Sequence, residues 1–336
     1  MVTLKEVARE AGVHPGTASR ALNRTTQSLV AAVTVERVRA AADALGYRVD
    51  YLARSFKTRR TFSVGVLIPD INNPLFPPIV RGIEDSLAAA GYIALLGNTE
   101  NEPEREKRVL DGLLGRSIDG LVLATAQRRD GKLAELARQP IPVVLVNRVA
   151  EDHGFSSASA DDVAGVRAAV AHLGALGHTR IAHVAGPQSL STGYGRFQAF
   201  ISAMGHLGCE TDNQLVRFAA TFSITEGIRC AAELLSVDMP PTAIVAANDM
   251  LALGCYTAAE GAGLRCPDDV SIVGYNDMPF MDRLSPPLTT VRIPHYDLGA
   301  RAGELLLERI NHPDAPLRST ILVPQLVVRG STGRAR

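Results

Sequence analysis

Residues 3–23, with the sequence TLKEVAREAGVHPGTASRALN, determine which kind of protein this chain can be. Their first half places apolar side chains at the i, i+3, i+4 and i+7 positions of one helix face, at Leu4, Val7, Ala8 and Ala11. Gly12 interrupts this period and tolerates the positive φ of a tight turn. Pro15 fits the first turn of a following helix, because no amide hydrogen is needed there. The stretch predicts two short helices joined by a turn.

The second predicted helix has two different faces. Ala18, Ala21 and Leu22 resume the apolar period, which leaves the outer face to Pro15, Gly16, Ser19, Arg20 and Asn23. This pattern is typical of a helix-turn-helix, whose second helix enters the major groove of DNA. An ordinary helical hairpin is the alternative that these residues alone leave open.

The charge distribution favours DNA binding. The whole chain has 35 Lys and Arg residues against 35 Asp and Glu residues. Residues 1–60 nevertheless carry eleven basic and five acidic residues, a net charge of +6, and the rest of the chain carries −6. Because a polyanion is bound where cationic charge is concentrated, a basic head on an acidic body is suited to DNA phosphates.

Composition limits the class of protein. The 336 residues are 46% hydrophobic and 21% charged, as in a globular protein with two or three domains. The sequence contains neither an apolar run of about 18 residues nor a charged-then-apolar leader, so a cytoplasmic location is expected. The four cysteines form no C-x-x-C pair, which indicates buried reduced thiols and no zinc site. No cofactor or metal is predicted.

Two segments extend the head. An apolar stripe at Val35, Val38, Ala42 and Leu45 predicts a third helix that ends at Gly46 and begins at Ala31 without a capping side chain. In the linker that follows, Asp50 can cap a helix too short to be stable alone, with Leu52 and Phe56 on one face and Arg54 and Lys57 beside them. Such a helix suits a minor-groove wedge, although an amphipathic connector is the alternative.

From Phe62 onward apolar strands alternate with helices. The first set of strands is predicted at 63–69, 93–96, 120–124 and 142–147, with helices near 77–90, 102–116 and 131–138. The second set is predicted at 181–185, 215–218, 243–246 and 270–274, with helices near 162–176, 194–207, 224–236 and 249–263. Continuous apolar strands separated by helices imply parallel sheets covered on both faces. The predicted fold class is α/β, with an all-α head and two doubly wound lobes.

Eight motifs, in this order, resemble the LacI/GalR family of bacterial transcriptional repressors. They are LKEVAREAGVHPGTASRALN (4–23), LGYRVDYLARSF (45–56), GVLIPDINNPLF (65–76), RGIEDSLAAAGY (81–92), HLGALGHTRIAHVAGP (172–187), AIVAANDMLALG (243–254), CPDDVSIVGYND (266–277) and PPLTTVRIPHYDLG (286–299). The resemblance implies a DNA-reading head, a hinge helix, and a core of periplasmic-binding-protein type whose lobes close over a small effector, a sugar or a sugar derivative.

The resemblance also implies a domain organisation. The helix-turn-helix head is expected at 1–48, the hinge helix and linker at 49–61, and the effector-binding and dimerisation core at 62–336. Within the core, the N-lobe is expected to comprise about 62–160 and 292–321, and the C-lobe about 161–291 and 322–331, with chain crossings near 160, 291 and 322. The chain stops at Arg336 without a leucine heptad, so a homodimer is expected.

By the same resemblance, two sets of residues carry the function. The DNA-binding set is Thr3, His14, Pro15, Gly16, Thr17, Ser19, Arg20, Asn23, Arg24, Tyr47, Leu52, Ala53, Arg54, Phe56 and Lys57. The effector-binding set is Phe76, Asn147, Arg148, Arg196, Phe222, Asn248, Asp249, Asn276 and Asp277. The implied partners are double-stranded operator DNA with an approximate palindrome, and the effector.

The chemistry of the effector set agrees with a sugar site. Arginine and amide side chains provide donors and acceptors for vicinal hydroxyl groups, and an aromatic ring packs on the apolar side of a pyranose or on a flat base. Many relatives have Asp at Asn147 and Asn276, so this pocket is expected to be less anionic and to accept a neutral or an acidic sugar. Phe76 and Phe222 as plain core residues, and Arg196 as a surface ion-pair residue, are the alternatives.

Two other functions compete. An enzyme of two-lobed α/β type is disfavoured because the sequence has no G-x-G-x-x-G after a strand, no G-x-x-x-x-G-K-[ST] and no G-x-S-x-G. His172, His178 and His183 are interpreted as helix-end or core residues. A solute-binding protein is disfavoured by the basic helix-turn-helix and by the missing leader. Selection of a short DNA palindrome would separate a regulator from both alternatives.

Overall fold

The structure is a computed structural model that describes residues 2–22, 26–47, 60–151, 154–209 and 212–336. The chain divides after Phe62 into two units, each with its own core. We call the first unit the head and the second the core unit. None of the helices within the described ranges is long and apolar enough to cross a membrane.

The head has three helices. They are α1 (Leu4–Glu10), α2 (Pro15–Leu22) and α3 (Ala32–Ala44), with a 3-10 turn at Gln27–Leu29. α1 begins with a capping box, in which the Glu6 amide donates to the Thr3 hydroxyl and the Thr3 amide donates to the Glu6 carboxylate at 2.7 Å. Gly12 and Gly46 have φ of 63° and 62°, as predicted for the turn and for the end of α3. Ala31 begins α3 without a side-chain cap, also as predicted.

The first sheet of the core unit forms the N-lobe. Its strands are β1 (Ser63–Ile68), β2 (Ile93–Asn98), β3 (Gly120–Leu123), β4 (Val143–Val146), β5 (Ser156–Ala160) and β11 (Ser319–Leu322), and its helices are α4 (Phe76–Ala89), α5 (Pro103–Leu114), α6 (Gly131–Leu136) and α11 (His295–Asn311). The strand order is β11-β5-β4-β3-β1-β2, and every pair is parallel. β3 and β4 are buried throughout, which explains their uninterrupted apolar sequences.

The second sheet forms the C-lobe. Its strands are β6 (Ile181–Ala185), β7 (Val216–Phe218), β8 (Ala243–Ala246), β9 (Ser271–Asn276), β10 (Thr289–Arg292) and β12 (Gln325–Val327), and its helices are α7 (Asp162–Ala175), α8 (Ser191–His206), α9 (Ile224–Leu235) and α10 (Asp249–Gly261), with 3-10 turns at Asn213–Leu215 and Met281–Arg283. The strand order is β12-β10-β9-β8-β6-β7, parallel except where β12 pairs with β10. The predicted α/β fold class with two doubly wound lobes is therefore confirmed.

The chain passes between the two sheets three times. It leaves the first sheet after Ala160, returns to the N-lobe as α11 after Arg292, and crosses again between Leu322 and Gln325. α11 then packs against α4 on the N-lobe. The three crossings place the carboxyl ends of the parallel strands of both lobes on either side of one cleft.

The His183 side chain is an interior group of the C-lobe. The His183 ring stacks on Phe200 with 4.6 Å between ring centroids, and its Nδ1 lies 2.7 Å from the Val245 carbonyl oxygen. Burial lowers the pKa of His183 to about 4.

All four cysteines are free. Cys230 and Cys255 are buried as predicted, but the prediction was wrong for Cys209 and Cys266, which are half-buried.

Candidate functional site

The outer face of α2 is the first candidate site. Ala18 and Ala21 point into the core of the head, where both are fully buried, and this leaves Ser19 and Arg20 exposed on the opposite face. The Arg20 side chain has no hydrogen bond or ion pair with the residues that the structure describes. An exposed guanidinium with unused donors can donate to two acceptors of a base edge, as in the contact between arginine and guanine.

The start of α2 has a defined local geometry. His14 precedes the helix, and its Nδ1 accepts a hydrogen bond of 3.1 Å from the Gly16 amide. Pro15, Gly16 and Thr17 are half-buried, and so is Tyr47 after α3. Thr3 is exposed at the start of α1. The remaining predicted DNA contacts lie outside the described residues: Asn23, Arg24, Leu52, Ala53, Arg54, Phe56 and Lys57.

The second candidate site is the cleft between the lobes, with a volume of about 440 Å³. Its walls come from residues that follow parallel strands. Thr99, Thr125 and Asn147 follow β2, β3 and β4 in the N-lobe. Asn248 follows β8, and Asn276 ends β9, in the C-lobe. Ligands of open α/β sheets bind at this edge, and the volume fits a small organic molecule.

Two asparagines occupy equivalent places in the two lobes. Asn147 directly follows β4 of the N-lobe, and Asn276 is the last residue of β9 in the C-lobe. Asn147 and Asn276 have φ of 64° and 112°, a region that Asn tolerates better than most residues. Asn276 is 1% exposed, and its Oδ1 has no hydrogen-bond partner among the described residues. Strained backbone and an unpaired buried acceptor at a cleft both indicate a ligand position.

Arg196 of α8 lines the cleft and is fixed from three sides. Its Nε donates to Asp162 Oδ1 at 2.9 Å, and its Nη1 donates to the Ala247 carbonyl at 2.7 Å. The guanidinium carbon lies 3.8 Å from the centre of the Tyr275 ring. Nη2 takes part in no hydrogen bond with the described residues. Because Arg196 is only 2% exposed, it is not a surface ion-pair residue, and Nη2 is left for a bound molecule.

Phe76 and Phe222 provide the apolar part of the lining, one from each lobe. Phe76 begins α4 and is 1% exposed, whereas Phe222 is half-buried. A Cβ at Gly186 would lie 2.4 Å from the Phe222 ring, so glycine at this position makes room for the ring. Both rings can pack on the apolar side of a ligand, and Phe76 is also a core residue.

Asp249 and Asp277, which were predicted in the cleft, do not line it. Asp249 is fully buried and accepts hydrogen bonds from the Met278 amide at 2.7 Å and the Thr290 hydroxyl at 2.6 Å, and burial raises its pKa to about 7. This carboxyl group joins the start of α10 to the turn after β9 and to the beginning of β10. Its neighbour Asn248 caps α10 by accepting from the Leu251 amide, which leaves the Asn248 amide nitrogen for a ligand.

Asp277 faces two arginines outside the cleft. Its oxygens accept from Arg292 Nε and Arg329 Nη1, each at 2.7 Å. Burial by itself would raise the pKa of Asp277, but these two hydrogen bonds hold it below its usual value of 3.8. Asp277 therefore supports the turn after β9.

Several lining residues were missed by sequence reasoning. Besides Thr99 and Thr125, they include Glu106, Gln127, Ser189 and Thr192. Thr125 directly follows the strand predicted at 120–124, and this position was the signal that could have identified it, whereas Thr99 lies three residues after the strand predicted at 93–96. Within the described ranges, no group of histidine, cysteine and acidic side chains could hold a metal ion.

Comparison with known proteins identifies two domains in the chain. Residues 3–50 match the bacterial regulatory proteins of the lacI family, and residues 170–332 match the periplasmic binding protein-like domain. The HTH-type transcriptional repressor CytR of Escherichia coli K12 is 32% identical over 330 residues, which cover 98% of this chain and 96% of that protein. The chain belongs to the LacI family.

Solved structures of this family align over nearly the whole chain. A lac repressor dimer bound to operator and the anti-inducer ONPF has a TM-score of 0.84 at 28% identity, covering 99% of both chains. A complex of the regulator CelR with cellobiose has a TM-score of 0.76 at 30% identity, covering 98% of this chain and 100% of that one. This LacI-family chain is a DNA-binding transcriptional regulator and not an enzyme.

Proposed function

We propose that this LacI-family protein is a repressor that binds an approximately palindromic operator as a homodimer in the bacterial cytoplasm. A small effector, a sugar or a sugar derivative, binds in the cleft and controls operator affinity. The observation that carries the proposal is the presence, in one chain, of a helix-turn-helix with an exposed arginine and of a polar cleft with unsatisfied buried groups.

Two relatives support the dimer on DNA and the sugar effector. The lac repressor structure is a dimer on its operator, and the CelR structure holds cellobiose. We accordingly propose that 1–48 read DNA, that 49–61 form the hinge, and that 62–336 bind the effector and form the dimer. Pro15 and Gly16 differ from the polar residues usual at the first base-reading positions, so contact there would be apolar or through the backbone, and Arg20 would read a guanine.

Selection from total bacterial DNA tests the proposal. Fragments retained by the full-length protein in an electrophoretic shift assay are sequenced and footprinted. A shared palindrome protected on both half-sites is the expected result. Retention of fragments without a common sequence would contradict the proposal, because a solute-binding protein or an enzyme has no reason to select a short palindrome.

The proposed homodimer can be tested by comparing the full chain with an isolated head. A fragment containing residues 1–60 is expected to bind the selected operator at least about tenfold more weakly than the full chain, because one head reads few base pairs and two heads act together. Titration of the same operator by both proteins at one salt concentration measures the difference. Equal affinities would remove the argument for a dimer.

Phe56, which lies outside the described residues, is proposed as the wedge at the centre of the operator. Phe56→Ala is expected to abolish the DNA bend and to weaken specific binding by a few kcal/mol, about the energy of unstacking a base step. Circular-permutation mobility of the protein–DNA complex measures the bend. The same bend in both proteins would show that Phe56 is only a packing residue.

A further inference from the structure

Arg148 is a buried cation that has no ion-pair partner among the residues that the structure describes. It lines the cleft two residues after β4, and only 7% of it is exposed. Its guanidinium forms no hydrogen bond or ion pair with any residue that the structure describes. Burial lowers the pKa of Arg148 to about 10, so the group remains charged at neutral pH. A buried charge without a partner is unfavourable for the fold, which is the usual sign that a ligand supplies the partner.

The acidic groups of the cleft do not neutralise Arg148. Glu106 interacts electrostatically with Arg148, but it accepts from the Thr125 hydroxyl at 2.6 Å and pairs with Lys132. Asp162 is paired with Arg196. Asp70 lines the cleft, is half-buried, and accepts from the Asn72 amide at 2.9 Å. The free cationic charge inside the cleft is therefore that of Arg148, at least within the described ranges.

Uncharged polar atoms complete the site. The Thr99 hydroxyl and Asn276 Oδ1 are buried and have no partner among the described residues. Arg196 Nη2 and the Asn248 amide nitrogen are donors that the described residues also leave unused. Hydroxyl groups of a ligand can satisfy atoms of this kind, while a guanidinium binds a carboxylate or a phosphate with two parallel hydrogen bonds.

We propose that the effector is a small hydroxylated anion whose carboxylate or phosphate group is bound by Arg148. The inference rests on the proposed function, because it names the class of molecule taken by the effector cleft. The anionic group pairs with Arg148 in the N-lobe, and the hydroxyl groups contact Thr99, Asn276 and Arg196. A neutral sugar would leave the Arg148 charge buried and unpaired.

The first test uses simple anions and the full-length protein. Thermal unfolding is measured in chloride, acetate and inorganic phosphate at one ionic strength, for wild type, Arg148→Met and Arg138→Met. Arg138 is exposed on the same lobe, and its replacement removes the same charge. Acetate or phosphate should raise the melting temperature of wild type and Arg138→Met above its value in chloride. Arg148→Met should lose this rise.

Arg148→Met should also melt no lower than wild type in chloride, because it removes an unpaired buried charge and keeps much of the apolar stem. A fully folded variant without an anion response therefore supports the proposal. If Arg148→Met responds to acetate and phosphate as wild type does, or if neither anion stabilises wild type, the proposal is overturned.

The second test separates carboxylate from phosphate. Binding of glucose, glucuronate and glucose 6-phosphate, and of the three galactose counterparts, is measured by titration calorimetry with the same three proteins. One anionic form should bind at least about tenfold more tightly than its neutral sugar, and Arg148→Met should reduce this preference to near unity. A neutral sugar that binds as tightly as its acid and its phosphate would overturn the proposal.

The two proposals fail in different ways. Absence of a selected palindrome counts against the regulator itself and is measured without any effector. If a palindrome is selected and a neutral sugar releases it from wild type and Arg148→Met alike, the proposed function stands and the anionic effector does not.

Discussion

Arg196→Ala is expected to abolish the response of operator binding to the effector. Operator affinity without effector should stay within about threefold of wild type, a change well under 1.4 kcal/mol. The physical reason is that Arg196 lines the cleft with an Nη2 that forms no hydrogen bond with the described residues, while its other contacts join α8 to α7 and to the segment after β8. Coupling between two binding sites is reciprocal, so loss of effector binding removes the effect on DNA.

The same substitution destabilises the core unit. It leaves Asp162, whose side chain is 19% exposed, without its cation. Removing one partner of a buried ion pair costs about 3 kcal/mol or more of the free energy of unfolding. Operator titrations with and without the effector, at a temperature where both proteins are folded, separate this effect from ligand binding.

A double variant provides the control. Arg196→Ala combined with Asp162→Asn removes the unpaired carboxylate and should recover part of the lost stability without recovering the effector response. A double variant that responds at the wild-type effector concentration would show that Arg196 acts through the fold alone, and the ligand would then have to be held elsewhere in the cleft.

Gly299→Ala is expected to destabilise the N-lobe by about 3 kcal/mol or more, although alanine is the better helix former. α4 and α11 approach so closely that a Cβ at Gly299 would lie 1.9 Å from the Ile79 carbonyl oxygen. A Cβ at Gly82, on the facing helix, would lie 2.1 Å from the Tyr296 carbonyl oxygen. Both obstacles are backbone atoms, so the helices themselves would have to separate. Chemical denaturation measures the change.

Gly205→Ala is the matched control for this prediction. Gly205 lies in α8 and is exposed, and a Cβ there would meet no atom within 4 Å. The same substitution should therefore stabilise the protein by up to about 1 kcal/mol. If Gly299→Ala and Gly205→Ala change the free energy of unfolding in the same direction, the close approach of α4 and α11 is not what requires glycine.

Most of the fold could be predicted because its signals are local. The capping and glycine positions of the head, and the buried runs β1, β3, β4, β6 and β8, were found within a few residues of their observed ends. β5 was missed because its sequence, Ser156–Ala160, is SSASA and has neither β-branched nor aromatic side chains. It is a strand because β4 and β11 pair with it on both sides, which only the tertiary fold specifies. The strands β10, β11 and β12 and the helix α11 were also not predicted.

The site could be predicted by residue type but not by side-chain direction. Asn248 and Asp249 are adjacent in sequence, yet only Asn248 lines the cleft. Asp249 is directed away from it and accepts hydrogen bonds from Met278 and Thr290. The sequence also could not show that Arg148 has no ion-pair partner among the described residues. This depends on Glu106 being occupied by Lys132, and those two residues are 26 positions apart.

The left-handed backbone at Asn147 and Asn276 restricts how this regulator can evolve. Glycine, asparagine and aspartate are the residues that such positions accept most readily. The codons of asparagine and aspartate differ by a single base. One mutation at either position can therefore exchange an amide for a carboxylate in the cleft while the backbone remains as it is. Such a change would alter the charge of the cleft by one unit, so a different molecule could be accepted before any part of the fold or the DNA-reading head has changed.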